Sequence, residues 1–370
     1  MTTPYYVIKL KQFNANCEAI EQAFHAAWGE KLCIGYSVKT NSNPEILKLI
    51  QKRGWLAEVV SHDEMELAQS LAFGKGQMIC NGPVKKDMLF KAIEQEQILN
   101  LDSIYEVEEV CAYAAKHPEA IPAMRMGLRV NFDAEKDCPG QTQKHDEVGR
   151  FGICLENGDV AKAVSLMRAA GIPIKGLHMH ISSLTRSVEI YQAISRKAVE
   201  TAETFDLQPE FIDIGGGFFG GRVLAGKPTM EQYATAISDI LKACPLTADA
   251  MLVLEPGTSI TATSMDYVTS VASVKDIRGT RIVTLDGTVL HINPFFAPRT
   301  PEYTVESQNE VSGVTQVICG CTCVEGDRFM SLENEKELTV GDRVIWHNIG
   351  SYSQAFNSNF IIRPPHTVIE

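Results

Sequence analysis

The chain has no apolar run approaching the roughly 20 residues a transmembrane helix needs. Its opening, Met1-Thr2-Thr3-Pro4, lacks the basic and apolar stretches of a secretory signal. No segment is low in complexity and no flexible linker interrupts it, so disorder is not expected. An excess of positive charge is also missing: 34 basic residues face 46 acidic ones, a net charge of −12. Such a surface repels nucleic acid and anionic membranes, and neither is expected as a partner. The ten cysteines show no paired C-x-x-C spacing. Most stand singly in apolar segments, as Cys33, Cys80 and Cys154 do, and only Cys319, Cys321 and Cys323 cluster. Zinc is therefore not expected, and the pattern suits reduced thiols in a cytoplasmic protein.

What is present is apolar material for a large core: 45% of 370 residues are hydrophobic. Eight strand-length runs alternate with helical patterns. They are Leu32–Val38, Leu56–Val60, Met78–Cys80, Ile98–Leu101, Arg125–Val130, Gly176–Ile181, Phe211–Ile214 and Leu252–Glu255. Helices are expected between them, for example over 44–52, 63–72 and 190–204; Asn43-Pro44 reads as an N-cap followed by an N1 proline. Eight such units predict an α/β fold, a (β/α)₈ barrel of the TIM type over residues 11–262. A doubly wound sheet is the alternative. After Glu255-Pro256-Gly257 the segments become short and β-rich, as in 268–274, 281–285, 313–319 and 342–347. They predict a C-terminal antiparallel β domain over 263–370, which a strand within 1–10 can join.

Chemistry in such a barrel sits at the carboxyl ends of the strands. Lys39, Glu58, Ser61, Asn81, Arg129, Asn131, His180, Ser182, Ser183 and Glu255 stand there. A lysine at the end of a buried strand is desolvated, which favours the neutral amine and Schiff-base chemistry; it can equally snorkel to solvent. Gly215-Gly216-Gly217 after Asp213 lets backbone N–H groups approach an anion, or makes a plain tight turn. His178 and His180 alternate on one strand and are expected to face the same side, an arrangement open to a barrel metallohydrolase.

Taken in order, these segments resemble the fold-type III pyridoxal-phosphate decarboxylases, the group of diaminopimelate and ornithine decarboxylases with an alanine-racemase-like barrel. Tyr36-Ser37-Val38-Lys39-Thr40-Asn41 resembles the segment of the cofactor lysine. Gly176 to Ser183 is similar to the strand whose second histidine stacks on the pyridine ring and whose last serine meets the phosphate. Asp213 to Phe218 resembles the phosphate loop, and Glu255-Pro256-Gly257 the element whose glutamate pairs with the pyridine nitrogen. Cys321-Thr322-Cys323 with Gly326-Asp327 resembles the motif whose cysteine enters the partner's site; Gly350-Ser351-Tyr352 resembles the phosphate-binding tyrosine segment. Three positions depart from the pattern. Thr258 stands where arginine is common, Val324 where the namesakes carry an acid, and Arg150 where lysine precedes Phe-Gly.

The resemblance implies pyridoxal 5'-phosphate as cofactor, held by Lys39 as an aldimine, and decarboxylation of a small amino acid through a carbanion (quinonoid) that the ring absorbs. It implies that His180 stacks on the ring and that Cys323 protonates the carbanion. Ser183, Gly215, Gly216, Gly217 and Tyr352 would hold the phosphate and Glu255 the ring nitrogen. A homodimer with shared active sites is implied as well. With Val324 in place of an acid, free ornithine and lysine are not the expected substrates; an acidic or acylated distal end is. Diaminopimelate or a siderophore or natural-product intermediate such as a citryl-diaminopropionate fits, with Arg129, Arg299, Val324, Glu325, Arg328 and Phe360 as candidate substrate contacts. The competing functions are a non-catalytic binding relative, which should have lost Lys39 or Cys323, and the metallohydrolase using His178 and His180.

Overall fold

The computed structural model describes residues 2–143, 148–297, 300–356 and 359–370. Its backbone divides into two compact units, Glu18–Gly257 and a second made of Met1–Cys17 with Thr258–Glu370. The division falls before the expected boundary at 262. Residues 258–263 are tied within the second unit: Asn16 Nδ2 donates to the Ile260 carbonyl at 2.7 Å and to Thr263 Oγ1 at 3.1 Å.

The first unit is a closed parallel barrel of eight strands. In chain order they are β1 (Leu32–Ser37), β2 (Leu56–Val59), β3 (Met78–Cys80), β4 (Ile98–Leu101), β5 (Arg125–Asn131), β6 (Gly176–His178), β7 (Phe211–Asp213) and β8 (Met251–Leu254). Each pairs with its neighbour in parallel, and β8 returns to β1 through Leu252↔Leu32. Full closure leaves no barrel edge, and the runs are apolar on both faces because one lines the barrel core and the other lies under the helices. Helices follow the strands. Those at Pro44–Lys52, His62–Ser70, Ile104–Lys116 and Val188–Thr204 are capped by Asn43, Ser61, Ser103 and Ser187, whose side chains accept from backbone N–H groups of the first turn. Met230–Ala243 begins with a Thr229/Gln232 capping box.

The barrel core contains Ile79, Ile98, Phe211 and Val253, all buried. A Cβ built on Gly176 would run into the Phe211 ring, and one on Gly127 would strike Asn100 Oδ1 and crowd the same ring, so these glycines let β5 and β6 make room for both side chains. Truncating a core phenylalanine of this kind to alanine costs about 3–5 kcal/mol.

In the second unit six strands lie side by side. They are β9 (Met265–Ile277), β10 (Thr280–Leu285), β11 (Glu302–Glu306), β12 (Gln316–Cys319), β13 (Arg328–Leu332) and β14 (Arg343–His347), in the order β11-β14-β9-β10-β12-β13. Pairing is mostly antiparallel, but β10 and β12 run parallel. The opening strand Tyr5–Ile8 adds antiparallel to β9 and parallel to His366–Ile369. Trp346 centres this unit, stacked on Phe329 at 4.4 Å and donating to Thr269 Oγ1 at 3.1 Å. No helix among the described residues is long and apolar enough to cross a membrane. All ten cysteines are free thiols.

Candidate active site

At the carboxyl ends of the barrel strands a buried polar network replaces the apolar core. Lys39 does not lie on β1 itself; it sits on the 3₁₀ turn Val38–Thr40 that follows. Its Nζ donates to Ser37 Oγ at 2.8 Å and to Glu58 Oε2 at 2.5 Å. Ser37 Oγ donates to the same Glu58 oxygen at 2.7 Å. The Lys39 side chain is 41% exposed while Glu58 is 1% exposed, so the amine reaches from solvent toward a fixed, buried acceptor.

From Glu58 the network crosses the barrel mouth. Asn81 Nδ2 donates to Glu58 Oε1 at 3.1 Å and to Glu255 Oε1 at 2.6 Å. Asn100 Nδ2 donates to Asn81 Oδ1 at 2.9 Å and to Asp213 Oδ2 at 3.1 Å. His178 Nε2 lies 3.6 Å from Glu255 Oε2, and both ring nitrogens are buried with no hydrogen-bond partner among the described residues.

These groups shift one another's protonation. Burial pushes Asp213 well above the usual carboxylate range, and the neighbouring Glu255 charge adds to the push. Burial would raise Glu255 too, but the His178 and Lys39 partners and a hydrogen bond from Asp213 hold it below that range. One proton on Asp213 and an ionised Glu255 satisfy both directions. Burial lowers His178 despite the pull of Glu255. His180 is driven down to about 3, by burial first and then by the positive charge of Arg129, and its imidazole is neutral near pH 7.

β6 ends at His178, so His180 lies two residues beyond the strand, beside the glycine segment after β7. The two histidine rings are nevertheless parallel, 12° apart in plane and 6.3 Å between centroids. Gly215 has φ +74°, and a Cβ there would overlap the His180 ring; one on Gly216 would strike the Glu255 carbonyl. Gly215 N donates to Asp213 Oδ1 at 2.9 Å, and Tyr191 Oη donates to the Gly216 carbonyl at 2.9 Å, fixing the loop from both sides. Ser183 lies on the loop after His180, where its hydroxyl accepts from Arg186 N at 2.7 Å and donates to the Gln141 carbonyl at 3.4 Å. Arg129, at the end of β5, pairs with Asp102 at 3.3 Å and lies 4.8 Å above the Phe151 ring; its Nε is buried with no hydrogen-bond partner among the described residues.

This arrangement fits a pyridine ring bearing a phosphate. A neutral, half-buried imidazole offers a flat face, beside it lies a glycine cradle that any side chain would fill, and a buried carboxylate waits for one proton donor. His178, Asp213 and Glu255 also present ligand atoms within 4.8 Å of one another, the one metal-capable cluster found among the described residues. His180 is not part of it, so the cluster is not the His178/His180 pair that the competing metallohydrolase reading needs.

The remaining expected residues belong to the second unit. Cys323 is exposed on the turn between β12 and β13. Asp327 braces that turn, accepting from Thr322 N and Oγ1 at 3.0 and 2.6 Å and from Val289 N at 2.8 Å. Val324 is 37% exposed. Glu325 pairs with Arg328 at 3.4 Å, and Arg328 also lines a small cavity of about 150 Å³ with Phe296 and Phe329. Tyr352 is exposed with φ +52°, an uncommon conformation for its residue type; Phe360 is exposed too. Arg299 lies outside the described residues. Asn100, and Asp213 as more than the start of the glycine segment, are site residues that the strand ends alone do not reveal. The available signal was an asparagine inside the apolar run Ile98-Leu99-Asn100-Leu101, where a strand-averse polar residue needs a buried partner.

Residues 10–262 match the family model described as pyridoxal-dependent decarboxylase, pyridoxal binding domain. The chain is 26% identical to the diaminopimelate decarboxylase of Aquifex aeolicus, over 98% of this chain and 85% of that protein. It is also 26% identical to a probable chloroplastic diaminopimelate decarboxylase of Oryza sativa subsp. japonica, over 100% of this chain and 75% of that one. The structure of diaminopimelate decarboxylase from M. jannaschii with L-lysine superposes with a TM-score of 0.84 at 24% identity, covering 100% of this chain and 87% of that one.

Proposed function

Because the chain belongs to the pyridoxal-dependent decarboxylases, we propose that the network at the barrel mouth is its active site and that its substrate is an amino acid with an acidic or acylated distal end. Bound pyridoxal phosphate supplies an electron sink for the pair left when CO₂ departs. This chain's own residues do the rest. Lys39 would hold the cofactor aldehyde covalently, and Glu58, already hydrogen-bonded to its amine, accepts the proton that the free amine must lose. Glu255 would keep a proton on the ring nitrogen, and the neutral His180 ring would cover one ring face. The N–H groups of Gly215, Gly216 and Gly217, with Ser183 and Tyr352, would hold the phosphate. Cys323 would return a proton to the substrate carbon, and its exposure suits a homodimer in which it acts in the partner's site.

The substrate reading rests on one observation. The residue after Cys323 is apolar Val324, and the next acid, Glu325, is drawn into a pair with Arg328. A desolvated distal ammonium needs a carboxylate; here the locus offers an apolar side chain and a guanidinium instead. The names of the relatives make diaminopimelate one member of this class; a citryl-diaminopropionate type of conjugate is another. Steady-state CO₂ release from ornithine, lysine, diaminopimelate and a citryl conjugate tests it. Efficient turnover of ornithine, with Arg328→Ala and Arg299→Ala harmless, overturns the substrate reading and leaves decarboxylation intact.

A further inference from the structure

Glu58, on β2, and Glu255, one residue past β8, are both buried, and an ionised carboxylate can only accept hydrogen bonds. Both take a hydrogen from the same nitrogen, Asn81 Nδ2, at 3.1 and 2.6 Å. An amide nitrogen has two hydrogens, so both are used. The orientation of Asn81 is thereby forced: its Oδ1 must face a donor, and that donor is Asn100 Nδ2 at 2.9 Å. The second hydrogen of Asn100 goes to Asp213 Oδ2 at 3.1 Å. Asn100 Oδ1 is left buried without a hydrogen-bond partner among the described residues, so the demand of its neighbours, not its own carbonyl, sets its orientation.

We propose that Asn81 is a positioning residue for the decarboxylation. Its one amide nitrogen holds Glu58 and Glu255 in place, and so ties the acceptor of the Lys39 amine to the carboxylate at the ring-nitrogen subsite, with Asn100 locking its orientation. The inference rests on the reading of Glu255 above. Two buried like charges in one pocket are costly unless each is hydrogen-bonded, and Asn81 serves both with one group. Asp213, whose carboxyl burial pushes well above the usual carboxylate range, stands at the far end of the relay.

Titratable groups from several elements face this cluster. Lys39 and Cys33 come from the first strand and its turn, Glu58 and Glu64 from the second strand and the helix after it. Arg129 lies on the fifth strand, His178 and His180 on the sixth and its loop, Asp213 on the seventh. Removing the Asn81 amide leaves all of these and deletes the shared donor together with the acceptor of Asn100. Glu255 should then take up a proton nearer neutral pH.

The test is a pH titration of the visible absorbance of protein loaded with pyridoxal phosphate. In Asn81→Ala a one-proton transition should appear at least one pH unit above any in the native protein, a tenfold change in proton affinity. It should vanish in Asn81→Ala/Glu255→Gln. If Asn81→Ala does not fold, Asn81→Ser, which keeps one donor, should show a smaller shift in the same direction. An unchanged titration in a folded Asn81 variant overturns the inference, and so does a transition that persists without Glu255. If instead Glu255→Gln leaves the native absorbance and its titration unaltered, the reading of Glu255 fails first and carries this inference with it.

Discussion

Glu255→Gln keeps the shape of the side chain and removes its charge. In the native site the carboxylate accepts from Asn81 at 2.6 Å and has His178 at 3.6 Å. A glutamine can keep the Asn81 bond through its oxygen, so the cavity and the fold should survive. What it cannot do is hold a proton on a ring nitrogen with a full negative charge. A hydrogen bond to a charged group is worth about 1.5–3 kcal/mol, and a unit-charge pair near 4 Å about 4 kcal/mol at an effective dielectric constant of 20. A loss of about 2–4 kcal/mol in the transition state corresponds to a roughly 30- to 1000-fold slower decarboxylation. Cofactor affinity should change far less, because the Lys39 linkage and the phosphate cradle are untouched. The assay is single-turnover CO₂ release by saturated variant and native protein, with bound cofactor quantified by absorbance. Turnover within about threefold of native, at full cofactor occupancy, would refute the role given to Glu255.

Mixing Lys39→Ala and Cys323→Ala chains, each inactive alone, should restore up to about a quarter of native activity, since random twofold pairing makes half the dimers mixed with one intact site each; no recovery despite demonstrated subunit exchange argues against shared sites. Gly215→Ala forces a Cβ into the His180 ring at φ +74° and should weaken pyridoxal-phosphate binding at least tenfold, measured by equilibrium titration. Buried His291, whose Nδ1 lies 2.7 Å from Tyr267 Oη, is driven by burial from 6.5 to about 4. Between those values the unfolded chain binds more protons than the folded one, so stability should fall as pH drops from about 6.5 toward 4, by up to about 3 kcal/mol at the low end. Urea unfolding of His291→Gln should show a shallower acid slope; an identical slope excludes His291 as its source.

The barrel was legible because each of its eight strands is an apolar run bounded by polar residues, and because caps such as Asn43 and Ser61 mark the helix starts that follow. Lys39, His180 and Glu255 were legible for a related reason: polar residues at the ends of such runs have nowhere to project but the barrel mouth. Strand ends were less clear. Lys39 and His180 read as strand residues but lie just beyond β1 and β6, because hydrogen bonding to neighbouring turns, not side-chain alternation, decides where a ladder stops. The relay through Asn81 and Asn100 could not be read from spacing at all. Its members come from separate strands, and only closure of the barrel brings two carboxylates onto one amide nitrogen. In the second unit, the parallel pairing of β10 with β12 was equally hidden, since alternation sets which face is buried and not which strand is the neighbour.

The central claim is that Lys39 carries the cofactor. Borohydride reduction of the pyridoxal-phosphate-loaded protein, followed by peptide mapping, tests it most directly. The account predicts a yellow protein whose colour is lost on reduction and a single modified peptide containing Lys39. A colourless protein that gains no visible absorbance with added cofactor, or a modification on another lysine such as the buried Lys85, would contradict it.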